Sequence, residues 1–327
     1  MTNTRAIWRR GGRLVLGNVL AFLLLLLITF ALLHLLPGDP LDVLDGGDLV
    51  QQPDAHTRQQ LRSQHGLDGT LVERLLLYVG QVMQANLGYS ALHVAPVSQL
   101  IGHSLPWSLA LVLLSVPVSL LLGVLPGLWA GSTANPKTEQ ALLMAGSLLS
   151  SLPSFAVALL LLSLFGVQLG WFPASGAEQM FAGLSGWQLW LDRIWHAVLP
   201  VLVLSLHGSL RFFYLSRGLA QQIGERAFIS AAKARGVGRR ALLLRYYWPN
   251  AWPEILTRMT EVLPGVLGAT LFVETVFSYP GIGQLLLNAI HSRDFPLIQG
   301  VVVSLGFVIL LVNSLIDLLV LRLNQRG

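Results

Sequence analysis

The sequence predicts an all-α polytopic membrane protein, a helix bundle with six transmembrane helices, and three observations carry that prediction. Of 327 residues 54% are hydrophobic and only 11% charged, against roughly 25% charged in an average soluble domain. Mean hydropathy is +0.64. Six apolar runs reach the roughly 20 residues that a helix rising 1.5 Å per residue needs to cross about 30 Å of hydrocarbon.

The first run, Leu14 to Leu36, follows Arg5, Arg9, Arg10 and Arg13. Basic residues before an apolar run suggest a secretory signal, but the run is too long for one and lacks a small-x-small cleavage site, so it reads as a retained span. Residues 1–36 are thus a cytoplasmic tail and a first helix. Residues 37–104 form an extracytoplasmic segment, acidic, with six Asp and Glu73 against three Arg. Within it Leu61, Leu67, Val72, Leu75, Leu76, Val79, Val82 and Met83 recur at near-helical spacing. That spacing predicts one or two amphipathic helices, lying on the membrane surface or packed over the end of the bundle.

Five further runs make a five-helix core in 105–327: Leu105 to Ala130, Ala141 to Leu169, Ala197 to Leu215, Ile255 to Phe277 and Ile298 to Leu321. Pro117, Pro126, Gly123 and Gly127 interrupt the first of these, Pro153 the next, then Pro200 and Pro264. The backbone groups that prolines free must be satisfied by neighbouring helices or a polar cavity, which favours a packed bundle over isolated anchors.

Lys and Arg orient the chain, because cytoplasmic loops carry the excess. With both termini inside, the cytoplasmic segments hold 14 basic residues and the outer ones five, while Arg211 and Arg258 fall within or near spans. No cysteine is present, which removes disulfides, thiolate metal sites and cysteine nucleophiles. Only two lysines occur, Lys137 after Pro136 and Lys233 after Ala232. Neither completes a Gly-x-x-x-x-Gly-Lys-Ser/Thr loop, so this chain has no phosphate cradle of its own. No histidine is followed by Glu and no Gly-x-Ser-x-Gly occurs, so the intramembrane metalloprotease and serine hydrolase signatures are missing.

The segment 217–250 is the most informative. It carries seven basic residues between Arg217 and Arg245, and placing them near the bilayer centre would cost on the order of 20 kcal/mol, so it is solvated or bound by protein. Its pattern predicts a short helix over about 227–235, stopped by Gly236 as a left-handed terminal residue, then a second helix ending near Pro249. Ser230, Ala231 and Ala232 give the first helix a low-profile face ringed by cations. A partner with an acidic groove would suit that face; a solvated basic loop that only sets topology is the other reading.

Ser230-Ala-Ala-x-x-x-Gly236, followed by Asn250-Ala, resembles the "EAA" loop of binding-protein-dependent ABC importer permeases, in the variant of the dipeptide, oligopeptide and nickel group. Other stretches agree in order and spacing: Leu36-Pro-Gly-Asp-Pro40, Leu152-Pro-Ser-Phe155, Leu169-Gly-Trp-Phe-Pro-Ala-Ser-Gly176, Val273-Glu-Thr-Val-Phe-Ser-Tyr-Pro-Gly-Ile-Gly283 and Arg293-Asp-Phe-Pro296. Ser230 stands where the general motif has Glu, and Pro253 bears on where the fifth span begins.

The resemblance implies the type I importer architecture in a bacterial inner membrane. It makes Ser230, Ala231, Ala232 and Gly236 the coupling segment that docks on an ATPase. It also implies a second homologous permease, two ATP-binding subunits that hold the ATP and Mg, and an extracytoplasmic substrate-binding protein. That protein would have the 37–104 region and the Ser278 to Pro296 loop as landing surfaces. The chain itself would bind no cofactor and no nucleic acid. The solute would be a peptide or a related small molecule such as nickel or a metal chelate.

An ion-coupled secondary transporter is the competing class, and it would use a carboxylate inside a span. Glu261, Glu274 and Asp317 are the candidates. Glu274 and Asp317 lie near span ends, and Glu261 reads equally as a pore-lining residue or as a partner for Arg258 or Arg211. Glu261 and Glu274 are the candidate translocation-path residues. The histidines, scattered without i, i+4 pairing, read as polar or interfacial side chains rather than a metal path.

Overall fold

The computed structural model describes residues 16–31, 70–90, 92–132, 136–180 and 182–323. Its helices in chain order are α1 Leu16–Ala31, α2 Leu71–Met83, α3 Val97–Ser132, α4 Pro136–Ser150, α5 Ser154–Gln168, α6 Trp187–Gly224, α7 Ala227–Ala234, α8 Arg239–Val276, α9 Ile282–His291 and α10 Phe295–Leu323. Before α3, β1 (Tyr89–Ser90) pairs antiparallel with β2 (Ala95–Pro96). The Leu36 to Pro40 motif and the acidic stretch to residue 69 lie outside the described residues. Of the six predicted spans, α3, α6, α8 and α10 are long and apolar enough to cross a membrane, and the described α1 and α5 are apolar but shorter.

Two expectations need correction. The run Ala141 to Leu169 does not form one helix but breaks into α4 and α5 at Ser151-Leu152-Pro153, where Pro153 is extended (φ −60, ψ 148) and precedes the first turn of α5. Proline disfavours helical geometry in the residue before it, so a helix ends there. The second helix of the hairpin, expected to end near Pro249, instead runs on to Val276 through a π-helical turn at Leu243–Tyr247. Pro249 falls in the first turn after that widening, where its missing N–H costs little. Asn250 Nδ2 donates to the Tyr246 carbonyl at 2.7 Å.

The chain divides into two compact units, 1–105 with 285–314 and 106–284 with 315–327. In the first, α1 lies against α10: Asn18 Nδ2 donates to Ser314 Oγ at 2.7 Å, Phe22 and Phe307 meet edge to face, and a Cβ on Gly306 would stand 2.1 Å from Leu25 Cδ2. Helix α2 is the predicted amphipathic helix. Thr70 and Glu73 form a reciprocal capping box at its start, and Tyr78 stacks on Phe30. Arg293-Asp-Phe-Pro296 opens α10. Asp294, 3% exposed, accepts from the Leu297 N–H with one oxygen and from the Ser90 hydroxyl with the other, which ties the β hairpin to the helix start.

In the second unit α3 and α6 approach to backbone contact. Ser115, Ser119, Gly123, Gly127 and Gly131 recur every fourth residue of α3, which puts them on one face. Ser119 Oγ donates to the Ser205 carbonyl and Ser205 Oγ to the Ser115 carbonyl, both at 3.2 Å. A Cβ on Gly123 would come 2.3 Å from the Ser209 carbonyl oxygen, and one on Gly131 2.3 Å from that of Arg217. With little hydrophobic drive between helices in lipid, such small-residue contacts and interhelical hydrogen bonds hold the pair. Helix α8 packs on α6, and α5 touches both.

Candidate functional site

The connection between α6 and α8 is built as a stiff hairpin. Helix α7 starts without a side-chain cap after Arg226 and ends on Gly236, whose φ is +75. The Gly236 N–H donates to the Lys233 carbonyl at 2.9 Å and the Val237 N–H to the Ala232 carbonyl at 3.1 Å. That pair of bonds is the Schellman closure, and it requires the left-handed residue that glycine supplies without strain. Arg235 Nε adds a bond to the Ala231 carbonyl at 3.2 Å, where positive charge complements the helix dipole.

Ile229 and Ala232 are fully buried and seat α7 on the bundle, while Ser230, Ala231, Lys233 and Gly236 are exposed. Of the four residues expected in the coupling face, Ala232 alone points inward and offers no surface. The seat is braced from two sides. Arg217, near the end of α6, pairs with Glu139 of α4, its Nε at 2.8 Å from Oε1, and Gln221 reaches the same oxygen at 3.3 Å. Arg239, at the start of α8, lies over the Trp129 ring of α3 at 5.4 Å.

At the other end of α8, Glu274 is 0% exposed. Its Oε2 accepts from the Gly283 N–H at 2.6 Å, and Ser108 Oγ accepts from the Ile282 N–H at 2.8 Å. These are orphan donors at the N-terminus of α9, where a carboxylate is favoured by the dipole. A Cβ on Gly281 would sit 2.2 Å from the Glu274 carboxyl carbon. The Gly176 N–H also donates to the Phe277 carbonyl at 2.9 Å, so two of the motif stretches meet here. Tyr279, in the same loop, has its hydroxyl pushed up to about 12 by burial, with the Glu274 charge adding to the effect. The Ser278 to Pro296 stretch, expected as loop, is largely α9, whose Ile282, Leu285 and Ala289 are buried.

Residues 120–326 match the family described as "Binding-protein-dependent transport system inner membrane component". The chain belongs to that family. A Brucella suis protein named "Putative peptide transport system permease protein" is 31% identical over 297 residues, 91% of each chain. A Sinorhizobium fredii "Probable peptide ABC transporter permease protein" is 30% identical over 91% of this chain and 92% of its own. The "Glutathione transport system permease protein" of Salmonella choleraesuis is 30% identical over 310 residues, 95% of each. The chain is therefore a multi-pass inner-membrane permease subunit of an ABC importer, not its catalytic subunit, and the secondary-transporter alternative is not favoured.

The permease holds Glu261 apart from the Glu274 enclosure. Glu261 is exposed, and its carboxylate accepts from Arg258 Nη1 at 2.7 Å, while Glu254 accepts from Arg258 Nε at 3.2 Å. Arg211 Nη1 donates to the Glu261 carbonyl at 3.4 Å. Both structural partners weighed for Glu261 are thus in contact with it, one through the side chain and one through the backbone. Asp317 is half-buried in α10. Among the described residues no three His, Asp or Glu side chains gather to hold a metal ion. Sequence reasoning missed the enclosure of Glu274; the glycines at 281 and 283 were its only local signal.

Proposed function

We propose that this permease forms one half of the transmembrane pathway of an importer for short peptides, with six spans and both termini cytoplasmic. A second homologous permease supplies the other half, and an extracytoplasmic binding protein delivers the solute. Two ATP-binding subunits hold the ATP and Mg, one of them docking on α7 through Ser230 and Ala231, with Ala232 and Gly236 fixing the helix beneath. Peptide cargo is supported by the names of the relatives, two of peptide systems and one of a glutathione system.

The observation that carries the coupling role is the construction of α7, a two-turn helix closed at Gly236, seated by Ile229 and Ala232 and exposed on its other side. Alternating access requires that motion of the ATPases reach the spans as rigid-body displacement, and a short helix braced at both flanks transmits it. Glu261, on the exposed polar face of α8, is the path residue of this proposal. Glu274 enters it as the brace that holds the start of α9.

Ala231→Trp tests the docking. The variant should insert and fold, keep ATP hydrolysis by the assembled complex, and lose uptake by about tenfold or more, the scale of one misplaced contact in a positioned interface. Wild-type uptake in that variant would remove α7 from the coupling path.

A further inference from the structure

Helices α6 and α8 share a polar face inside the apolar runs that the sequence predicts as spans. Glu261 lies about 9 Å inside the Ile255 end of the Ile255 to Phe277 run, and Arg211 about 6 Å inside the Leu215 end of the Ala197 to Leu215 run, at 1.5 Å per residue. Along α8 the residues Glu254, Thr257, Arg258, Glu261, Gly265 and Gly268 recur at three- and four-residue spacing and are exposed or half-buried. Arg211 is exposed on α6 and lies over Gly265, where a Cβ would stand 3.0 Å from Nη1 and 3.2 Å from Cζ and Nη2.

The charges on this face are unevenly satisfied. Arg258 is held by two carboxylates, Glu254 and Glu261. Among the described residues no carboxylate stands within ion-pair distance of Arg211, whose one side-chain hydrogen bond is the 3.4 Å contact to the Glu261 carbonyl. A guanidinium has five N–H donors and no accessible neutral form. Hydrocarbon is among the costliest surroundings for it, so intramembrane arginines face water, a partner charge or a pathway. Glycine at 265 lets the planar guanidinium fork lie close to the α8 backbone. Such a fork matches a carboxylate with two parallel hydrogen bonds.

We propose that Arg211 is a solute-binding residue on the wall of a water-filled passage and takes the carboxylate of the transported molecule, the C-terminal carboxylate of a short peptide. The neighbouring Glu254–Arg258–Glu261 set carries one net negative charge and suits the ammonium end. This inference rests on the peptide-import reading for the identity of the cargo, and on the geometry alone for the site's preference for an anion.

The test separates the two. In the cysteine-free chain assembled with its partners, Gly268→Cys places a thiol on this face, where no atom lies within 4 Å of a Cβ. Leu113→Cys on α3, 75% exposed and within the apolar Leu105 to Ala130 run, is the control. Gly268→Cys should react with water-soluble methanethiosulfonates at least about tenfold faster than the control, and faster with the anionic sulfonatoethyl reagent than with the cationic trimethylammonium one. Adding Arg211→Gln should abolish that charge preference. For transport, trialanine is compared with its C-terminal amide. Arg211→Gln should lower free-acid uptake by about tenfold, the scale of a hydrogen bond to a charged group, and leave amide uptake within about twofold.

Equal loss of both peptides, or a Gly268→Cys thiol as unreactive as the control because lipid or the second permease covers the face, overturns the proposal. Wild-type uptake of neither peptide would remove the peptide reading, while the reagent preference and its loss in Arg211→Gln would still decide the anion site.

Discussion

At the scale of single residues, the buried carboxylates Glu274 and Asp294 do the work of helix caps. Each accepts a backbone N–H in the opening turn of a helix, Gly283 for α9 and Leu297 for α10, and each is hidden from solvent. Removing such an acceptor leaves a buried donor unsatisfied, at a cost of about 1–3 kcal/mol. Glu274→Ala should therefore lower the stability of the detergent-solubilised permease by that amount in thermal unfolding. Glu274→Gln keeps an amide oxygen for the Gly283 N–H and should remain near wild type in both stability and uptake. A loss of uptake in the Gln variant with stability intact would show that the charge itself is used in transport.

Among the elements, the α3–α6 pair depends most on side-chain size. Gly127 faces Phe213 and Ser216, and a Cβ there would fall 2.5 Å from the Phe213 carbonyl oxygen and 2.0 Å from Ser216 Oγ. The backbone atom cannot move without separating the helices, so Gly127→Val should destabilise the fold by about 3 kcal/mol, the upper range for overpacking. The same substitution at Gly102, with nothing within 4 Å of its Cβ, should shift the melting temperature far less. Equal shifts at the two positions would argue against backbone-close packing of α3 on α6.

On the scale of the whole molecule, length and charge support the orientation proposed above, with both termini cytoplasmic. Helix α6 has 38 residues, about 57 Å at 1.5 Å per residue, so it extends beyond a hydrocarbon core of about 30 Å. Its first turns carry the exposed Trp187, Trp190 and Trp195, the amphipathic rings favoured at a membrane interface. Its last turns lead into the basic segment of α7. Arg193 lies over the rings of Trp107 and Trp190 and pairs with Glu178, holding the loop before α6. Single cysteines at Met180 and Gln222 should thus label from opposite sides of sealed vesicles, Met180 from the periplasmic face. Labelling of both from one side would overturn the topology proposed for this permease.

Hydropathy was sufficient, by itself, to determine a polytopic helical membrane protein and the apolar stretches of α3, α6, α8 and α10, and the local pattern around Gly236 the short helix it closes. These are local properties: transfer free energy adds along a run, and a left-handed terminus is written in one glycine. The motif stretches together also made the family legible, because their order along the chain does not depend on how they pack. Tertiary structure alone decided that Ala232 turns inward while Ala231 faces out, that Glu274 is enclosed by Gly281 and Gly283, and that the chain passes Pro249 without a break. Only packing revealed that the glycines of α3, which read in sequence as interruptions, are the surface on which α6 sits. Each of these depends on which face of one helix meets which face of another, a choice made by shape and hydrogen bonding between residues distant in sequence. No window along the chain contains it.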